Sequence, residues 1–278
     1  MTLSRRGVQE LLEVHGLRPS RALGQNFVAD PNTVRRIARL AELSPAHPVV
    51  EIGAGLGSLT VALAETGAPV VAVETDRHLL PVLRAQVAPF DVHVVEGDAL
   101  TLDLDALLRE APVEASPPWA LVANLPYNVA VPLVLRVLDG VPLVDRLLVM
   151  VQREVGERLA AAPGGRAYGS VSVHVDYHAT ARLVGRVPAT VFVPRPRVES
   201  VLVRMDRRQV PAVDPALVGP ERLFAVVRAG FAQRRKMLRR SLAGVVDPEC
   251  FEAAGIEPTA RAEELSVEQW GRLAACSG

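Results

Sequence analysis

Four short stretches place residue types where chemistry could use them. EIGAGLG (51–57) follows an apolar run and opens a helical one. Its glycines allow a tight turn and close approach by a ligand, and the helix beyond presents free N–H groups. The G-x-G-x-G spacing differs from the G-x-G-x-x-G of the pyrophosphate fingerprint, so the triplet alone could be a structural turn. Glu74 closes the next β-like run, 21 residues after Gly53, where a carboxylate can accept both hydroxyls of a ribose. Asp98 closes the third run, in VVEGDAL; it could accept from an exocyclic amine or cap a helix. The fourth run ends in NLPY, residues 124–127. An amide oxygen on Asn124 and a backbone carbonyl near Leu125 or Pro126 could each accept a hydrogen from a planar aromatic amine. Those bonds would favour a pyramidal nitrogen with a localised lone pair. Pro126 would hold the turn rigid, and Tyr127 offers a ring for stacking, worth ~1–3 kcal/mol per base.

These residues need a scaffold that brings successive strand ends to one edge. Asp30 and Pro31 suit the cap and first position of a helix over 30–43. Strand-like runs at 48–53, 68–75, 91–98, 119–124 and 145–152 then alternate with helix-like runs at 58–67, 76–87 and 131–140. That alternation predicts an α/β fold with a parallel sheet covered on both faces. In such sheets ligands bind outside the carboxyl ends of the strands. Beyond residue 168, GSVSVHVDYHA alternates strictly and suggests a strand, with a helix as the alternative. RLVGRVPATVFVPRPRVESVLVRM reads as two β-rich pieces around a loop kept extended by prolines 188, 194 and 196. Residues 206–220 resemble a linker, and 221–278 read as short helices broken by Gly and Pro.

Length and composition bound the rest. The chain has 278 residues, 49% hydrophobic and 22% charged, enough for one large domain or two ordinary ones. No run of ~18 apolar residues predicts a membrane span, and the first residues show no leader pattern. Two cysteines, Cys250 and Cys276, suggest neither a metal cluster nor a disulfide framework. No metal and a cytosolic location are expected. Net charge is zero, yet residues 190–240 hold twelve basic side chains against four acidic ones. The run is densest in FAQRRKMLRRSL (231–242), which holds Arg234, Arg235, Lys236, Arg239 and Arg240. It could be a solvated face or a phosphate-contacting surface.

Gly, Glu and Asp at three successive strand ends resemble the S-adenosylmethionine site of Rossmann-like methyltransferases. NLPY resembles the (Asn/Asp)-Pro-Pro-Tyr motif of enzymes that methylate nucleobase amines. LGQNFVAD (23–30), VEIGAGLGSLT (50–60), ANLPYNV (123–129), VFVPRPRVESVLVRM (191–205) and FAQRRKMLRRSL then resemble, in order, the ribosomal RNA adenine dimethyltransferase family, its bacterial 16S branch most closely. The resemblance implies a seven-stranded, mostly parallel Rossmann-like methyltransferase domain over 1–207 and a small all-helical, rRNA-binding domain over 208–278. It implies S-adenosylmethionine held by Asn26, Val28, Gly53, Gly55, Glu74, Asp98 and Asn124. It places Phe192 beside the target base, although that residue could equally pack in the core; Asn26 could instead cap the next helix. The implied substrate is two adjacent adenosines near the 3′ end of 16S rRNA in an assembling 30S particle, and a monomer is expected. The alternatives are the related 23S adenine methyltransferase of macrolide resistance and a non-catalytic assembly factor with the same fold.

Overall fold

The computed structural model describes residues 2–113, 117–126 and 129–276. In chain order its elements are α1 (Arg5–Val14), β1 (Phe27–Val28), α2 (Pro31–Leu40), β2 (Val49–Ile52), α3 (Ser58–Ala64), β3 (Val70–Glu74), α4 (Leu80–Val87), β4 (Val92–Glu96), α5 (Leu104–Arg109), β5 (Trp119–Asn124), α6 (Ala130–Gly140), β6 (Val144–Gln152) and α7 (Arg153–Leu159). There follow α8 (Ser170–His178), β7 (Ala179–Val187), β8 (Phe192–Val193), β9 (Ser200–Arg207), α9 (Pro220–Ala232), α10 (Leu238–Ser241), α11 (Glu249–Ala253) and α12 (Val267–Cys276). The chain divides into two units, one of residues 1–156 and 182–206, the other of 157–181 and 207–278.

The first unit is a seven-stranded sheet in the order β4-β3-β2-β5-β6-β9-β7. β4, β3, β2, β5 and β6 run parallel, and β9 is antiparallel to β6. Apolar runs form these strands because both faces are covered: β2 and β3 are buried along their whole length. Asp30 caps α2 by accepting from the Thr33 amide at 2.9 Å, with Pro31 in the first turn as the sequence predicts. Register does the positioning. Ile52 pairs with Val73 on one side and Ala123 on the other. One residue further, Gly53, Glu74 and Asn124 therefore stand in a row at the carboxyl edge. A separate two-stranded ribbon pairs β1 with β8 antiparallel, Phe27 opposite Val193 and Val28 opposite Phe192.

The second unit is mostly helical. Tyr168, Phe224, Phe251 and Trp270 are buried in its core, and the Tyr168 hydroxyl donates to the Leu265 carbonyl at 2.9 Å. Four expectations are corrected here. Residues 170–178 are helix, with a strand starting only at Ala179. Val173 and Tyr177, one turn apart, both enter the core, while Ser172 donates to the Arg158 carbonyl at 2.6 Å and accepts from the Gly169 amide. Tertiary packing outweighs the β-preference of the valines. The stretch expected to be a linker is anchored, since Val213 and Val218 are buried and Val213 packs against Gly271. Cys250 and Cys276 are joined in a disulfide between α11 and α12, Cα atoms 5.5 Å apart; a 26-residue separation gave no sign of it. The division of the chain also differs from a cut at 207/208, because 157–181 belong with the helical unit. Among the described residues no helix is long and apolar enough to cross a membrane.

Candidate active site

The carboxyl edge of the sheet opens into a cleft of ≈ 870 Å³, lined by Asn26, Val28, Gly53, Gly55, Glu74, Asn124, Leu125, Pro126 and Phe192, among others. Gly53 and Gly55 adopt left-handed φ angles of 77° and 58°, which a side chain would resist. A Cβ at Gly55 would also press on the Phe27 ring at 3.1 Å. A second hollow of ≈ 620 Å³ shares Gly53, Leu125 and Pro126 with the first and adds Ile52, Val73, Asp98, Leu100 and Leu133. Nine of the eleven residues expected to serve the cofactor or the reaction thus line the first cleft, and Asp98 the second. Tyr127 lies outside the described residues.

Hydrogen bonds fix the key side chains. Glu74 is 5% exposed. Its Oε2 accepts from the Gly55 amide at 2.6 Å and its Oε1 from the Asp76 amide at 2.8 Å. Burial pushes its carboxyl above the usual range, and these amides oppose the shift. Asn124 donates its amide nitrogen to the Asn26 carbonyl at 3.0 Å, which sets the side chain so that Oδ1 remains as an acceptor. The Asn26 side chain turns back to the Gly24 carbonyl at 2.9 Å and so does not cap α2. Asp98 Oδ1 accepts from the Leu100 amide at 2.9 Å, a local turn that leaves the other oxygen unused there. Phe192 is 1% exposed and packs among core residues as well as lining the cleft. It is a wall, not an open platform.

Glu51 was not singled out by its motif, yet it also lines the cleft. It is 1% exposed, and its Oε2 has no hydrogen-bond partner among the described residues. A lone acid inside the run VVEI was the available signal. Burial pushes its pKa up to about 8, with the neighbouring Thr60 hydroxyl and Glu74 as smaller influences. In the unfolded chain it ionises near ~4.3. Between those values the unfolded state holds fewer protons, so stability falls as pH rises. Glu51→Gln is therefore expected to raise Tm at pH 8 and to lose that advantage below about pH 4.5. Unfolding curves across this range check it; a Tm gain that is the same at both ends would refute the assignment.

In the helical unit the basic run is not uniform. Arg234 is ion-paired with Glu263 and donates to the Arg166 carbonyl at 2.8 Å. Arg235, Lys236, Arg239 and Arg240 are exposed. Arg166 and Arg261, remote in sequence, join Arg234 and Arg235 around a hollow of ≈ 780 Å³. Elsewhere in the basic segment, Arg204 is buried against Glu42 and Asp206, and Arg208 pairs with Asp176. Part of the positive surplus is therefore internal.

Comparison with known proteins follows the same lines. The sequence model of the ribosomal RNA adenine dimethylase family matches residues 17–276. The ribosomal RNA small subunit methyltransferase A of Kineococcus radiotolerans is 48% identical, over 98% of this chain and 91% of its own. That of Streptomyces avermitilis is 47% identical, over 96% and 91%. Among solved structures, the 23S rRNA methyltransferase ErmE aligns with a TM-score of 0.70 at 27% identity, covering 90% of this chain and 99% of its own. A dimethyladenosine transferase from Plasmodium falciparum aligns with a TM-score of 0.73 at 21% identity, over 88% and 94%, a likeness of fold.

Proposed function

The chain belongs to the ribosomal RNA adenine dimethylase family, and on that premise we propose that it dimethylates N6 of two adjacent adenosines near the 3′ end of 16S rRNA, in an assembling 30S particle of the cytosol. The observation that carries the reading is the Asn124 amide, anchored through nitrogen to Asn26 with its oxygen left to accept, two strands from Glu74 with Gly53 of the intervening β2 edge between them. Relatives named for the small subunit share nearly half their residues with this chain over almost its full length, which favours 16S over 23S rRNA. Intact Glu74, Asp98 and Asn124 argue against a non-catalytic role.

The residues present fit S-adenosylmethionine. The apolar hollow of Ile52, Val73, Leu100 and Leu133, with Asp98 beside it, suits a flat purine with an exocyclic amine. Glu74 would take the ribose hydroxyls, and Asn26, Val28 and Asn124 the methionine end. When bound, this cofactor supplies a methyl group on a sulfonium that departs without acid assistance. Asn124 Oδ1 accepts one N6 hydrogen of the target adenine. The Pro126 carbonyl already receives the Val129 and Ala130 amides at 3.2 and 3.1 Å, so the Leu125 carbonyl takes the second. In the first transfer both bonds push the nitrogen towards a pyramidal, nucleophilic form; in the second, the one remaining N–H keeps one of them. Tyr127 would stack on the base, and Phe192 closes the wall behind it. Positioning dominates because the methyl is already activated, and water takes the proton released afterwards. Tritium transfer from labelled cofactor into undermethylated 30S particles, with the modified nucleoside mapped, tests the reading. No label in these particles, or label on a nucleoside other than N6-methylated adenosine, would overturn it.

The helical unit would grip the rRNA backbone through its exposed cations rather than read bases. Replacing Arg235, Lys236, Arg239 and Arg240 by glutamine is expected to weaken RNA binding. It should also flatten the dependence of log K on log[salt] by roughly 0.7–0.9 per lost phosphate contact. Arg234 is left intact, because its ion pair with Glu263 belongs to the fold. Binding titrations at several salt concentrations check this; an unchanged slope assigns the run to solubility.

A further inference from the structure

We infer that the β1–β8 ribbon carries a second RNA-contact surface, formed by Arg18, Arg21, Arg195 and Arg197, which holds phosphates flanking the target adenosines at the rim of the cleft. This rests on the function proposed above and adds to it a binding surface on the sheet unit itself.

The ribbon is antiparallel, with Phe27 opposite Val193. The segment entering β1 and the segment leaving β8 therefore lie at the same end of it. That end adjoins the reaction turn, because the Asn26 carbonyl receives the Asn124 amide at 3.0 Å. Arg18 and Arg21 sit on the entering segment, Arg195 and Arg197 on the leaving one, and all four are exposed. None of the four guanidinium groups is ion-paired among the described residues. The entering segment, 18–26, contains no acid; the leaving one, 194–199, contains Glu199 alone, 3.7 Å from Arg153. These are exposed cations facing little local opposition.

The segments are also held in place. Gln25 donates to Asp76 at 2.8 Å and accepts from the Ser20 amide at 2.7 Å. On the other side, Arg5 donates to the Thr190 carbonyl at 2.5 Å and the Phe192 carbonyl at 3.1 Å. Prolines 194 and 196 fix φ at two positions of the leaving segment, which bends at 194 and at 197–198. Charges on a fixed rim give direction as well as attraction. An adenine placed against Asn124 must bring its neighbouring nucleotides past this rim, and a single strand presents them as phosphates to guanidinium groups. That geometry favours an RNA strand over an acidic protein segment.

The test uses the full chain and undermethylated 30S particles, with two double variants, Arg18→Gln/Arg21→Gln and Arg195→Gln/Arg197→Gln, and the matching Arg→Lys pairs. Each Gln pair is expected to raise KM for the particle about tenfold and to reduce the salt slope by roughly 1.4. Affinity for S-adenosylmethionine should stay constant, which shows an intact fold. The Lys pairs should restore the slope. An unchanged slope in the Gln pairs overturns the proposal. So do Lys pairs as weak as the Gln pairs, which would mean a structural role. If instead the unaltered protein transfers no methyl group to RNA, the function reading fails and not the rim alone.

Discussion

Asn124→Ala is expected to lower kcat by about 10²–10³-fold, the loss typical when one preorganised hydrogen-bonding group is removed from a reacting centre. The reason is local. Alanine removes the acceptor that localises the lone pair on N6, while the strand, the glycine turn and Glu74 stay where they are. Alanine also removes the 3.0 Å bond to the Asn26 carbonyl, so the segment over the cofactor end loosens somewhat. A neutral hydrogen bond contributes about 1 kcal/mol, and cofactor affinity should therefore fall by less than ~10-fold. Asn124→Asp keeps an acceptor oxygen but turns the donor to Asn26 into a second acceptor. It should retain more turnover than alanine and bind the cofactor less well than the parent. Single-turnover transfer at saturating cofactor, beside direct cofactor titration, separates the two effects. Turnover unchanged in Asn124→Ala would remove the amide from the reaction.

What could be read from sequence follows from how each feature is made. Gly53, Glu74, Asp98 and Asn124 were legible because parallel strands covered on both faces leave apolar runs that stop at one edge. A polar residue at each stop therefore shares that edge, and the register of Ile52 with Val73 and Ala123 bears this out. Features made by long-range contacts were not legible. The β1–β8 ribbon is two residues long in each strand and exists through pairing across more than 160 residues. Val213 reads as linker because its partner, Gly271, lies far along the chain in α12. The helix at 170–178 hid behind an alternating pattern in which every other position is valine or aromatic, and the packing of Val173 and Tyr177 decided it. Glu51 stood in a quoted motif, but a sequence gives no sign that a carboxylate oxygen will be left without a partner. Arg166 and Arg261 complete the basic hollow only once the helical unit is folded.

Glu74→Ala is the second large effect: cofactor affinity should fall by about 10²-fold or more. Two ribose hydroxyls donating to a buried carboxylate make charge-assisted bonds of roughly 1.5–3 kcal/mol each, and alanine removes both. It also strands the Gly55 and Asp76 amides that Glu74 holds at 2.6 and 2.8 Å, so some stability is lost as well. Glu74→Gln separates these contributions. It keeps the size and one acceptor oxygen, but its NH2 faces either the Gly55 or the Asp76 amide, so it should lose part of the stability that alanine loses and bind with intermediate affinity. The pH dependence provides an independent signature. Burial raises the Glu74 pKa, and the ribose hydroxyls require the ionised form as acceptor. Affinity should therefore decline on acidification, beginning at a higher pH than an ordinary carboxylate would impose, and the decline should flatten in Glu74→Gln. The two variants fail differently if the role is wrong. A glutamine variant with parental affinity and the parental pH profile would mean that Glu74 braces the Gly55 turn and takes no part in holding the nucleoside.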